Sequence, residues 1–179
     1  MHAKTPMIGV VGRNNSGKTT VIESIVPELT KSGYRVATAK HVNQKGFSVD
    51  TKGKDTWKHS TAGANPVVIV SDIETAVLIK DGAQQFSLDR LRSFTPDADI
   101  IVLEGFSWLV LNNGQVGKIL CIRDREEYED LRGKARGEVI AFCSVQPMGE
   151  PILRIKEDSK ILVERTLRYI RRKLQKPLT

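Results

Sequence analysis

The chain has 179 residues, 40% of them apolar, and a formal net charge of +7. That length fits one domain, 1–179, with a real core, and no run of about 18 apolar residues is present to span a membrane. The positive charge is spread along the chain, and the few aromatics are not interleaved with it, so no nucleic-acid signature emerges; a solvated surface, an anionic small molecule or an acidic partner accounts for the excess.

In chain order, Met7, Ile8, Val10 and Val11 form a short apolar strand. Gly12-Arg13-Asn14-Asn15-Ser16-Gly17-Lys18-Thr19 follows, and then an amphipathic helix over Thr19–Lys31. This is G-x-x-x-x-G-K-T with the strand before it and the helix after it. Gly12 and Gly17 let the loop curl around an anion. Its N–H groups, with that of Thr20 behind them, face inward at the positive end of a helix dipole. Lys18 supplies a mobile point charge for outer phosphates. Thr19 places a hydroxyl for a magnesium ion. The motif predicts a triphosphate site without naming the base.

Pro27 removes a hydrogen bond inside the helix and predicts a kink or an early end. Ser32-Gly33 closes it. Tyr34–Ala39 reads as the second strand, ending at Lys40-His41, both placed to reach a phosphate. The polar stretch from His41 to Asp55 is too long for a plain connector. Asp55 reads as the N-cap of a helix over Thr56–Ala64. Val67–Val70 is an apolar run suited to burial on both faces. Thr75–Lys80, Asp81-Gly82 and Ala83–Phe86 read as a hairpin. Ser87 caps a short helix through Arg92.

Ile100–Leu103 is the most apolar strand, bracketed by Asp99 and Glu104. Trp108–Val116 reads as a loop. Lys118–Ile122 and Val139–Cys143 are further strands, and Asp158–Leu174 is the last helix. The alternation predicts an α/β protein: a mostly parallel sheet with helices on both faces, the three-layer P-loop NTPase fold.

A triphosphate site needs an acid near the metal. Asp99 and Glu104 lie roughly 16 Å apart along a strand. Only Glu104 is at the C-terminal edge, where the phosphate loop sits. Glu104 is therefore the expected magnesium-side acid, and Asp99 a strand-start residue. Asp50, in the long loop after the second strand, is the second candidate; it reads equally well as a solvated loop aspartate. Lys18, Asp50 and Glu104 are the expected catalytic groups, and Thr19, Asp50 and Glu104 the expected metal ligands. Lys156-Glu157-Asp158 has the tail of a guanine signature, but Ile155 stands where asparagine belongs.

Cys121 and Cys143 lack CxxC spacing and read as small buried residues of a reducing compartment. The leading MHAKTPM leaves no room for a signal peptide. Both point to the cytoplasm.

Several segments together resemble one family, the molybdopterin-guanine dinucleotide biosynthesis protein B (MobB) family. They are Asn15-Ser16-Gly17-Lys18-Thr19-Thr20; Gly33-Tyr34-Arg35-Val36 with Lys40-His41; Phe47-x-x-Asp50; Gly53-Lys54-Asp55-Thr56-Trp57; Ala62-Gly63-Ala64; and Val102-Leu103-Glu104-Gly105-Phe106. They fall within residues 7 to 123. The chain departs from the family where Val42-Asn43-Gln44 replaces further histidines, and where Gly117 replaces a proline before Lys118-Ile119. The resemblance implies a GTP-binding, weakly GTP-hydrolysing accessory protein of molybdenum cofactor biosynthesis that uses Mg2+. It implies a homodimer that assists the guanylyltransferase joining GMP to molybdopterin, with molybdopterin itself as a further partner. It carries nucleotide binding to Gly12 through Thr20 and supports Asp50 and Glu104 as magnesium-side acids. A P-loop small-molecule kinase is the alternative. Arg123, Arg125, Arg132 and Arg136 would then form its lid.

Overall fold

Met7–Val11 (β1) is buried along its whole length, because its strand lies in the middle of a sheet. The computed structural model describes residues 5–82 and 85–175; the first four residues of MHAKTPM lie outside them. Two compact units form. One runs to His41 and resumes at Arg92; the other is Val42–Leu91.

In the first unit, β1 pairs with Ile100–Glu104 (β5) on one side and Val116–Ile122 (β6) on the other. Val36–Lys40 (β2) pairs with β5. Val139–Ser144 (β7) and Ile152–Arg154 (β8) continue beyond β6, giving the order β2-β5-β1-β6-β7-β8. Every pairing is parallel. Strands covered on both faces read as continuous apolar runs, and β6 is buried at all seven positions.

Side-chain alternation sorts these runs into two cores. Ile8, Val10, Ile119, Cys121, Cys143 and Leu153 face Lys18–Lys31 (α1) and Ser159–Gln175 (α6). Ile122 and Ile152 face Tyr128 of Arg125–Lys134 (α5) on the other side. Ser107–Val110 (α4) approaches β1 so closely that a Cβ on Gly9 would lie 2.4 Å from Val110. The result is the expected three-layer α/β sandwich.

In the second unit, Asp55–Thr61 (α2) precedes Val67–Val70 (β3) and Thr75–Leu78 (β4), an antiparallel pair. Leu88–Phe94 (α3) begins here and ends in the first unit. The Ser87 hydroxyl accepts from the Arg90 N–H at 3.1 Å, the expected cap.

Several local expectations are corrected. The first helix reaches Lys31, its expected last residue, so the early end at Pro27 does not occur; the last turn carries Leu29 into full burial, which outweighs one lost hydrogen bond. Asp55 is the first helical residue and Lys54 the cap; the Asp55 carboxylate pairs with Lys58 instead. Val67–Val70 is not buried on both faces. Among the described residues it has one partner strand, and Val68 and Val70 are exposed. Thr75–Leu78 pairs back onto β3, and Ser71 builds the turn. Its hydroxyl accepts from the N–H groups of Ile73 and Glu74. Asp81 is instead tied to Arg90. Of the forward strand expected at Ala83–Phe86, Ala83 and Gln84 lie outside the described residues. Trp108–Val116 begins with α4 rather than an open loop.

Two elements escaped sequence reading, α5 and β8. The signal for α5 was present: Asp124-x-x-Glu127 is a capping pattern, and Asp124 accepts from the Glu127 N–H at 2.8 Å.

Candidate functional site

The site is built where β1 turns into α1. Gly12 packs so tightly against β6 that a Cβ there would sit 2.1 Å from the Cys121 carbonyl oxygen. Gly17 has φ +89°, and a Cβ on it would lie 2.3 Å from Ile155. Asn15 also takes a left-handed conformation, φ +60°, which asparagine tolerates. These turns curl the loop. No side chain caps α1 and no acid stands in its first turn, so its free N–H groups remain open to an anion. The Ser16 hydroxyl is buried and has no hydrogen-bond partner.

Lys18 curls back over the loop, its ammonium donating to the Arg13 carbonyl at 2.7 Å. Thr19 donates its hydroxyl to Glu104 Oε1 at 3.1 Å. Glu104 reaches it because β5 lies beside β1, with Val10 opposite Glu104 in the register. The same oxygen is 3.0 Å from Lys40 Nζ, since Lys40 is the register partner of Glu104 on β2. The Glu104 side chain is only 12% exposed. Asp99, at the other end of β5, is bound by Arg35 through its guanidinium and its backbone N–H. Those bonds hold its carboxyl below the usual carboxylate range. It is the strand-start residue expected.

The chain leaves Glu104 through two left-handed residues, Gly105 at φ +84° and Phe106 at φ +53°. Left-handed geometry is costly for phenylalanine and persists only where surroundings enforce it. Here the Gly105 N–H donates to Val10 O at 2.9 Å, and His41 donates its N–H to Glu104 O at 3.0 Å. The His41 ring meets Trp108 edge-on at 4.4 Å and Phe106 at 5.6 Å.

Arg13 has a contact that sequence reading missed. Its Nε is 3.3 Å from Glu127 Oε1, and Glu127, on α5, also holds Arg123 at 2.6 Å. Glu127 is 6% exposed, so a buried carboxylate ties the phosphate loop to α5. Three of the expected lid arginines have side chains engaged locally. Arg123 bonds Glu127, Arg125 donates to the Met148 carbonyl, and Arg132 pairs with Glu129 at 3.7 Å. The Arg136 backbone N–H donates to Leu111 O.

Asp50 belongs to the second unit. Its side chain is 3% exposed, Oδ1 accepts from the Thr56 hydroxyl at 2.7 Å, and Oδ2 is 3.5 Å from Lys80 Nζ. It is thus not a solvated loop residue. Among the described residues no three His, Cys, Asp or Glu side chains gather to hold a metal. Magnesium does not require such a cage, because water and phosphate oxygens supply most of its ligands. The unpartnered Ser16 hydroxyl, the glycine-walled curl and the Thr19–Glu104 pair suit a metal-bound polyphosphate.

Comparison with known proteins decides the family. Residues 7–145 match the family model described as "Molybdopterin guanine dinucleotide synthesis protein B". The chain belongs to the MobB family. A molybdopterin-guanine dinucleotide biosynthesis adapter protein from Haemophilus influenzae is 34% identical over 111 residues, 59% of this chain and 60% of that protein. A putative adapter protein of the same name from Methanocaldococcus jannaschii is 34% identical over 122 residues, 67% of this chain and 48% of that protein. The chain therefore spans between about half and three fifths of these two relatives. The crystal structure of Bacillus subtilis MobB superimposes with a TM-score of 0.70 at 25% identity, covering 91% of this chain and 96% of that one. The MobB-like segments Asn15–Thr20, Lys40-His41 and Val102–Phe106 all fall in the first unit, at the end of β1, β2 or β5. Among the described residues, no helix is long and apolar enough to cross a membrane.

Proposed function

We propose that this MobB-family member binds GTP with Mg2+, hydrolyses it slowly, and serves as an adapter for the molybdenum cofactor guanylyltransferase in the cytoplasm. The observation that carries this reading is the Thr19 hydroxyl bonded to the rim carboxylate Glu104 beside the curled loop.

Loop N–H groups from Gly12 to Thr20 would bind the phosphates, with Lys18 leaving the Arg13 carbonyl for an outer phosphate. Thr19 and Glu104 would hold Mg2+ on the first unit. Magnesium, when bound, would supply positive charge to offset the charge developing on the phosphates. Glu104 orients the Thr19 hydroxyl and is placed to orient water. Guanine selectivity and the guanylyltransferase partner rest on the family.

Slow turnover follows from what catalyses phosphoryl transfer. An arginine aimed at the developing charge contributes about 10³ to 10⁵ in rate. Arg13 and Arg123 lean on Glu127 instead. Engagement of the α5 arginines also favours the adapter reading over a kinase with an arginine lid. A homodimer is supported by the exposed Val68, Val70 and Val77 on the β3–β4 pair, since an isolated two-stranded ribbon is marginal alone.

Equilibrium binding of fluorescent GTP and ATP analogues, with and without Mg2+, tests the proposal. Tight, magnesium-dependent, guanine-selective binding is expected. Equal affinity for the two bases, or none for either, would refute it.

A further inference from the structure

One oxygen of Glu104 already carries two donors. Oε1 receives the Thr19 hydroxyl at 3.1 Å and the Lys40 ammonium at 3.0 Å. Two donors on one carboxylate oxygen fill its lone-pair directions. A cation drawn to this carboxylate must displace one of them or stand beside the Lys40 ammonium, which repels it. The Thr19 hydroxyl is fixed near the start of α1, whereas Lys40 is 57% exposed and carries its charge on a flexible four-carbon stem. Lys40 is the group that can leave. It stands at the last position of β2, opposite Glu104 in the register, so the pair is built by the sheet rather than by chance on a surface.

We propose that Lys40 competes with the divalent cation for Glu104. The inference rests on the nucleotide-binding reading above and adds a role for a residue outside the phosphate loop. In the metal-free protein Lys40 neutralises a carboxylate that would otherwise face incoming phosphates. Polyphosphate can then enter before the metal does. When the metal arrives, it must exchange with Lys40, so the ammonium sets how much free Mg2+ the site requires. Two ammonium groups, Lys18 and Lys40, stand near the Glu104 carboxylate at this rim. Lys18 is held on the Arg13 carbonyl, which leaves Lys40 as the cation paired with Glu104.

The competition has a signature that a plain structural role lacks, because it moves two affinities in opposite directions. Without Lys40, bare Glu104 repels the phosphates, and metal-free nucleotide binding weakens. Without Lys40, the metal no longer has a competitor, and less Mg2+ is needed. A residue that merely shapes the loop would weaken both. A lysine that binds phosphate throughout would weaken nucleotide binding with and without the metal and leave the Mg2+ requirement unimproved.

The experiment is a titration of the full chain with a fluorescent GTP analogue in EDTA, then with Mg2+ at fixed nucleotide. Lys40→Met should raise the Kd in EDTA and lower the half-saturating Mg2+ concentration, each by about fivefold, the upper range for a partly exposed ion pair. Lys40→Arg should behave as the wild type. In a Glu104→Gln background, Lys40→Met should change neither quantity. Lys40→Gln, tested beside it, guards against a defect peculiar to methionine. An unchanged or raised Mg2+ requirement in both neutral variants overturns the inference, as does the same shift in the Glu104→Gln background. Absence of nucleotide binding by the wild type would instead overturn the function itself, and the inference with it.

Discussion

Thr19 and Glu104, 85 positions apart in the chain, are joined by a hydrogen bond of 3.1 Å from hydroxyl to carboxylate. The bond exists because β5 inserts between β2 and β1. Glu104→Gln keeps an acceptor for Thr19 but loses the charge. It should lower GTP hydrolysis about tenfold or more while changing nucleotide affinity less, the pattern of a group used mainly in the transition state. Single-turnover hydrolysis beside equilibrium binding separates the two; equal loss of both would assign Glu104 to binding alone.

Lys18→Ala should weaken triphosphate binding by at least tenfold and leave the fold intact, since the ammonium's hydrogen bond is to the exposed Arg13 carbonyl. Calorimetry with GTP, alongside thermal melting, checks both halves. If the protein is an adapter that needs only its surface, pull-down of the guanylyltransferase should survive this substitution.

Gly12→Ala tests the loop's packing. Its Cβ would lie 2.1 Å from a backbone oxygen of β6, and backbone does not yield as a flexible side chain does. A cost of about 2 to 3 kcal/mol is expected from such overpacking, with loss of phosphate binding. Urea unfolding of the two proteins measures it.

Alkaline pH should weaken the fold. Burial raises the Cys121 thiol and pushes the Cys143 thiol and the Tyr169 hydroxyl up to about 12. In the unfolded chain these groups release their protons near 9 and 10. Between those values and about 12 the unfolded state binds fewer protons than the folded one, so stability falls as pH rises. Lys118 opposes this: burial lowers its ammonium below 10.5, the unfolded state there binds more protons, and its contribution rises with pH. Urea midpoints between pH 8 and 11 should decline in the wild type and decline less in Tyr169→Phe. That variant also loses the bond from Tyr169 to Met7 O at 3.1 Å, worth about 1 kcal/mol.

Asp50→Ala should loosen the second unit. It strands Lys80 and removes the acceptor of the Thr56 hydroxyl. Faster amide exchange is expected in α2, with β1 and β6 unchanged. Exchange unaltered throughout Val42–Leu91 would show that Asp50 contributes nothing to this unit's stability.

The sequence by itself determined the local devices. Gly17 and Lys18-Thr19 declare a phosphate loop because glycine takes the left-handed turn and lysine supplies the charge. The apolar runs of β1, β5 and β6 declare a buried parallel sheet, and the placing of Glu104 at the rim follows from strand direction alone. Family-like segments were legible for the same reason, each being short and contiguous. Tertiary structure decided everything that depends on which strand lies beside which. The pairing of Lys40 with Glu104 and the hold of Glu127 on Arg13 join residues distant in the chain. No local propensity encodes them. They arise from the register of packed neighbours, which exists only once the sheet has formed.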